Sequence, residues 1–137
     1  MRFDTDIRRG IFKHFDSLDV TMFVEGMDRN HLSGEWFEPR IYPIKYSETP
    51  GQTTIYARLN ILCVVTLPKV DIYKMSKLKD KIIDRVNVPI PIYDESDDFL
   101  FCLQKYEHTT EDYGQPNPAI KLEQSLIKVP CEGYYEH

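Results

Sequence analysis

Four histidines and three cysteines are the residues of this sequence best suited to nucleophilic or metal chemistry, and their spacing decides what they can do. His14, His31, His108 and His137 contain no HExxH-type pair, and none lies within metal-site spacing of a cysteine, so zinc ligation is not expected. Cys63 and Cys102 sit inside apolar runs, where a free thiol behaves as a small hydrophobe, and with Cys131 they make an odd number. Reduced thiols in a reducing compartment are the expectation. The acidic run Asp94, Glu95, Asp97 and Asp98 lacks the glycine and the distant glutamate of an EF-hand loop and reads as a solvated turn. GxGxxG, P-loop and nucleophile-elbow patterns are absent from the sequence. No catalytic, metal or cofactor-binding residue is therefore expected, and the sequence reads as a structural or binding protein rather than an enzyme.

Composition narrows the class further. A chain of 137 residues that is 42% hydrophobic and 28% charged can bury one ordinary core, so a single domain spanning 1–137 is expected. The segment MRFDTDIRRG has no apolar run of signal-peptide length, and no run is long enough to span a bilayer, so a soluble chain without a cleaved signal is expected. Twenty-two acidic against 17 basic residues give a net charge of −5, which argues against a grip on nucleic-acid phosphates.

The elements that would position any site are organised around Ile55 to Leu67, IYARLNILCVVTL. Its odd positions are all apolar while Tyr56, Arg58 and Asn60 are polar or amphipathic, the period-two pattern of a strand with one buried face. At about 3.3 Å per residue it would be roughly 40 Å long, about twice the usual length. Leu62 and Val64 break the alternation, so the second face must also be covered there; the helix at 71–86 is the expected cover, and a neighbouring subunit is the alternative.

Two amphipathic helices are expected. One, at about 5–18, carries Ile7, Ile11, Phe15 and Leu18 on its apolar side, Gly10 as a weak point, and Arg8, Arg9 and Lys13 as a solvated face. The other, at 71–86, carries Ile72, Met75, Leu78, Ile82 and Val86, with Asp71 as its cap and Asn87 to Pro89 as its stop. Val20 to Val24 reads as a short strand, and Trp36 to Ile44 as an edge strand because of Pro39 and Pro43. Tyr46 to Thr54 reads as a loop, and VPIPIY as an extended connection or edge. Phe99 to Thr109 reads as a strand and Thr110 to Pro118 as a polar loop that is mobile before assembly. Ala119 to Val129 reads as a final strand bulged near Gln124 to Leu126, followed by a short tail. The fold class expected is α+β: a mixed or antiparallel sheet with the long strand at its centre and both helices packed on it.

This order, with IRRGIFKHFDSL leading into a short strand, WFEPRIYPI as an aromatic and proline-bearing strand, and YARLNILCVVTLPKVDIYKMSKLKDKIIDRV as a strand, loop and helix unit, resembles the lambda-like tail terminators of long-tailed bacteriophages over nearly the whole chain. It departs from them at LPKVD, where relatives tend to have a glycine-rich loop. The resemblance implies a virion protein of the tail or neck that forms a homo-hexameric ring on the tail tube, stops its polymerisation and offers a joining surface to head-completion proteins. DNA would pass through the ring without sequence-specific binding, and no cofactor or membrane would be involved. The candidate assembly interface is Trp36, Phe37 and Arg40 on the edge strand, Tyr56 and Arg58 on the long strand, and Glu111, Asp112 and Tyr113 in the polar loop. Alternatives are a head-tail adaptor or tail-tube subunit and, in a different class, a small ligand- or peptide-binding α+β domain that adds a strand at the WFEPRIYPI edge.

Overall fold

In a computed structural model, residues 2–24, 34–66, 73–114 and 122–137 are described. They form an α+β domain whose elements follow in the order α1 (Asp4–Asp16), β1 (Thr21–Met22), β2 (Glu35–Thr49), β3 (Gln52–Thr66), α2 (Lys74–Val86), β4 (Ile90–Tyr93), β5 (Phe99–Lys105), β6 (Thr109–Gly114) and β7 (Leu122–Glu136). Among the described residues the seven strands make one mixed sheet, ordered β1-β2-β3-β7-β5-β4, with β6 also paired to β7. Only the β1–β2 pair is parallel among these.

The long strand is present and central. β3 spans 15 residues and pairs with β2 on one side and β7 on the other, through Ile55, Ala57, Leu59, Ile61, Cys63 and Val65 facing the core. Ile7, Ile11 and Phe15 of α1 and Met75, Leu78, Ile82 and Val86 of α2 complete that core against Ile127, Val129 and Cys131 of β7. Both helices therefore pack on the odd-numbered face of β3. The expected cover for Leu62 and Val64 is corrected accordingly: they point away from α2. Val64 is fully buried in a second, small cluster with Phe23 and Trp36, and Leu62 and Leu122 are partly buried beside it. Asp71 and Ile72, expected in the second helix, lie outside the described residues, as does Leu67.

Three further expectations are revised. Tyr46 to Thr54 is not a loop, because β2 and β3 stay paired to Thr49 and Gln52, with Gly51 at φ 84° supplying the left-handed turn position. The tail from Pro130 onward is a strand, since β7 pairs with β3 without a break from Leu122 to Glu136. The bulge expected near Gln124 to Leu126 is thus absent from the β3–β7 ladder; the shift of apolar phase from Leu122 to Ile127 marks the change from the small cluster to the main core. The remaining register irregularities fall between Ile41 and Ile44 of β2, between Ile92 and Tyr93 of β4, and between Asp112 and Gly114 of β6. The edge expectation for β2 holds in weaker form: β1 lies outside it but pairs with Trp36 and Phe37 alone. β4, from the VPIPIY segment, ends the sheet on the other side.

α1 is fastened to its surroundings by polar contacts as well as by its apolar side. The Tyr46 hydroxyl accepts from the Phe3 N–H at 2.9 Å and donates to the Asp4 carboxylate, tying the hairpin to the start of the helix. Gly10 is where α1 comes closest to β4, since a Cβ there would lie 2.7 Å from Ile92 Cδ1 and 3.2 Å from the Pro91 carbonyl oxygen. Between the helices, Arg85 Nε donates to the His14 carbonyl at 2.7 Å and His14 Nε2 donates to the Arg85 carbonyl at 2.9 Å.

Candidate functional site

The sheet has a second face, and the strand register determines what stands on it. Residues directly opposite on neighbouring strands share a face. Lys45, Tyr56 and Glu132 form one row; Arg58 and Pro130 form the next; Arg40, Asn60, Lys128 and Thr109 form a third; Glu38, Leu62, Leu126 and Glu111 form a fourth. Tyr56 is 40% exposed and Tyr134, two residues beyond Glu132 on β7, is 53% exposed. A shallow groove of about 360 Å³ runs between Pro43, Lys45, Tyr56, Arg58, Tyr106 and Pro130. Aromatic rings and cation stems side by side on a rigid sheet suit a protein surface, because they bury much area with little loss of side-chain freedom.

Two ion pairs stand on this face, one exposed and one closed on a buried carboxylate. Lys128 Nζ lies 2.8 Å from Glu111 Oε1, and the Tyr113 hydroxyl donates to Glu111 Oε2 at 2.7 Å. Lys128 and then Tyr113 hold the Glu111 carboxyl below its ordinary value, while Glu111 raises both partners. Arg40 Nε binds Glu38 Oε1 at 2.6 Å, and Glu38 is only 4% exposed, so Arg40 is fixed in place by a buried carboxylate.

Of the eight residues expected at the interface, Arg40, Tyr56, Arg58, Glu111 and Tyr113 meet on this face. Trp36 points the same way but is buried against Phe23 and Val64. Phe37 is corrected: it is fully buried on the helix side, packed edge-on against Phe15 at 5.9 Å, and presents nothing to a partner. Asp112 also faces the helix side, where it accepts from Lys79 Nζ at 2.8 Å and from the Ser125 hydroxyl at 2.6 Å. The polar loop at 110–118 is corrected as well, since Thr110 to Gly114 belong to β6; residues 115–118 lie outside the described residues. Lys45, Lys128, Glu132 and Tyr134 were not legible as part of this surface. Their signal is the alternation of Ile127, Val129, Cys131 and Gly133 with Lys128, Pro130, Glu132 and Tyr134, interrupted to the eye by a proline and a glycine.

The residues with chemical potential are committed elsewhere. Burial pushes the Cys63 and Cys131 thiols up to about 12, leaving them protonated and poor nucleophiles. Cys63, Cys102 and Cys131 are all free. Lys105 Nζ donates to His108 Nδ1 at 2.8 Å, and Thr53 and His137 share a 2.9 Å hydrogen bond. His31 lies outside the described residues. Asp94 accepts from the N–H groups of Ser96 at 2.8 Å and Asp98 at 3.0 Å, so its carboxylate shapes the acidic turn. Among the described residues no group of three or more His, Cys, Asp or Glu side chains is placed to hold a metal ion, and no helix is long and apolar enough to cross a membrane.

Burial at the helix junction holds His14 below its ordinary value of 6.5; its bond to the Arg85 carbonyl opposes this shift, and the Arg85 charge adds to it. The unfolded chain then binds more protons than the folded one once pH falls through 6.5. The stability present above that pH is lost on acidification. Urea midpoints at pH 7.5 and 5.5 should therefore differ more for the native protein than for His14→Gln, which cannot titrate there; equal differences would rule His14 out as the source.

These observations define a single-domain α+β protein with a helix-covered sheet and an exposed outer sheet face suited to protein contact. No family model matches the chain, and no curated protein matches it either.

Proposed function

We propose that the protein is a ring-forming tail terminator of a long-tailed bacteriophage. It acts in the virion at the tail or neck, as a non-enzymatic subunit of a homo-hexamer that caps the tail tube and receives the head-completion proteins. The observation that supports this reading most directly is the outer face of β2, β3 and β7, with Tyr56, Arg58 and Tyr134 exposed on strands of 15 residues each. A wide, stiff face of this kind suits a head-to-tail contact between copies, which closes into a ring when the rotation per subunit allows. The mechanism is geometric: bound copies cover the polymerising end of the tube and offer no equivalent end.

Net charge makes the proposal testable. Six copies at −5 carry about −30, and the resulting repulsion favours free subunits at low ionic strength. Association should rise between about 20 mM and 500 mM salt as the Debye length shrinks, and should rise further when tail tubes are supplied. Sedimentation and negative-stain imaging check this. Rings on tube ends are the expected result, and continuous filaments would instead indicate a tube subunit. A monomer under every condition, without binding to tubes, would remove the reading and leave the ligand-binding domain. Arg58→Glu places a carboxylate in the groove beside Tyr56 and should abolish ring formation while leaving the urea midpoint of the subunit nearly unchanged.

A further inference from the structure

The cleft where α1, α2 and β4 meet is basic in an acidic protein and draws its cations from two helices. It has a volume of about 440 Å³, and its charged lining consists of Arg9, Lys13 and Arg85 against a single carboxylate, Asp97, with His14 beside them. Arg9 and Lys13 stand one helical turn apart, an arrangement in which like charges destabilise a helix. Arg85 brings a third cation from the other helix. Its Nε is committed to the His14 carbonyl, which fixes the plane of the guanidinium at the cleft. Arg9 is partly used, through Nη2, by Asp6 at 2.5 Å and the Tyr93 carbonyl at 3.4 Å. Lys13 has no ion pair among the described residues.

We propose that this cleft binds the phosphate group of a small phosphate monoester. A guanidinium held through its Nε and an ammonium without an ion pair, brought to one cleft from two helices, suit the double charge of that group and can donate charge-assisted hydrogen bonds to its oxygens. The space exceeds what a phosphate alone fills. Pro91 and Tyr93 also line the cleft and leave room beside the cations for the organic part of the ligand. Gly10, which also lines the cleft, lets α1 lie close on β4, because a Cβ there would stand 2.7 Å from Ile92 Cδ1 and 3.2 Å from the Pro91 carbonyl oxygen. The site is independent of the sheet face described above, on different elements, and its occupancy does not depend on ring formation.

The test is calorimetric titration of the intact protein with inorganic phosphate and with phenyl phosphate, against sodium chloride at matched ionic strength. Phenyl phosphate should bind more tightly than inorganic phosphate, and chloride should give no saturable signal. Lys13→Glu should weaken binding by about tenfold or more, and Asp97→Asn, which removes the opposing carboxylate, should tighten it by about threefold. Asn is well tolerated at Asp97, whose φ is 62°, so the second variant folds and moves affinity in the opposite direction to the first. Absence of saturable phosphate binding up to about 10 mM overturns the proposal. So does a response that neither substitution changes. A short duplex DNA supplies the same phosphate chemistry from a polymer; Lys13-dependent binding of the duplex without binding of phenyl phosphate also overturns it.

Discussion

Phe37→Ala should lower the free energy of unfolding by about 3–5 kcal/mol, a large part of the total stability of a domain of this size. Phe37 is fully buried, pairs across the ladder with Cys63 and meets Phe15 edge-on, so its loss empties space at the junction of α1, β2 and β3. Two long strands and a helix flank that space and cannot collapse into it without breaking register. Arg58→Ala, on the opposite face of the neighbouring strand, should change stability by less than about 0.5 kcal/mol. Urea unfolding of both variants tests which face of the sheet is core. Similar losses for the two would contradict the packing described here.

Gly133→Val should destabilise by about 1–3 kcal/mol, towards the upper end of what overpacking costs. A Cβ at Gly133 would stand 2.8 Å from the Cys102 carbonyl oxygen, 2.8 Å from Phe101 Cδ2 and 3.1 Å from Leu103 Cδ2. The nearest obstacle is backbone, and β5 is held on one side by β4 and on the other by its pairing with β7 at Glu132 and Cys131. Neither strand can move away alone. Thermal unfolding of Gly133→Val beside Gly114→Ala separates this crowding from backbone strain: Gly114 faces open space at φ 60°, so its substitution tests conformation only. An unchanged midpoint for Gly133→Val would mean that β5 and β7 are not this close.

The acidic limit has a local contributor. Lys79 and then Ser125 hold Asp112 below its ordinary value of 3.8, so the contact of β6 with α2 contributes stability above that pH and loses it as pH falls below. Asp112→Asn should flatten the acid limb of the unfolding curve, and the side chain's 63% exposure keeps the effect small.

What the sequence determined by itself is the set of elements whose signal is local periodicity. Ile55, Ala57, Leu59, Ile61, Cys63 and Val65 identify a strand; Ile7, Ile11 and Phe15, and Met75, Leu78, Ile82 and Val86, identify two helices. Each pattern is written in consecutive turns or pleats and needs no partner to be read. Tertiary structure decided which surface meets which. Leu62 and Val64 announce that a second face is covered, but periodicity does not say by what, and the cover is Trp36 and Phe23, with α2 on the other side. Pro130 and Gly133 look like the end of a strand, yet β7 runs through them because β3 supplies a ladder of matching length and β5 approaches where a side chain is missing. The same holds for the two candidate surfaces. Lys128, Glu132 and Tyr134 become neighbours of Arg58 and Tyr56 only through the β3–β7 register, some 70 residues apart in the chain. Arg9 and Lys13 read as an ordinary solvated helix face until the crossing of α1 and α2 sets Arg85 opposite them. Charge and exposure at a site depend on residues distant in sequence, and that distance is closed only when the core of both helices on β3 has formed.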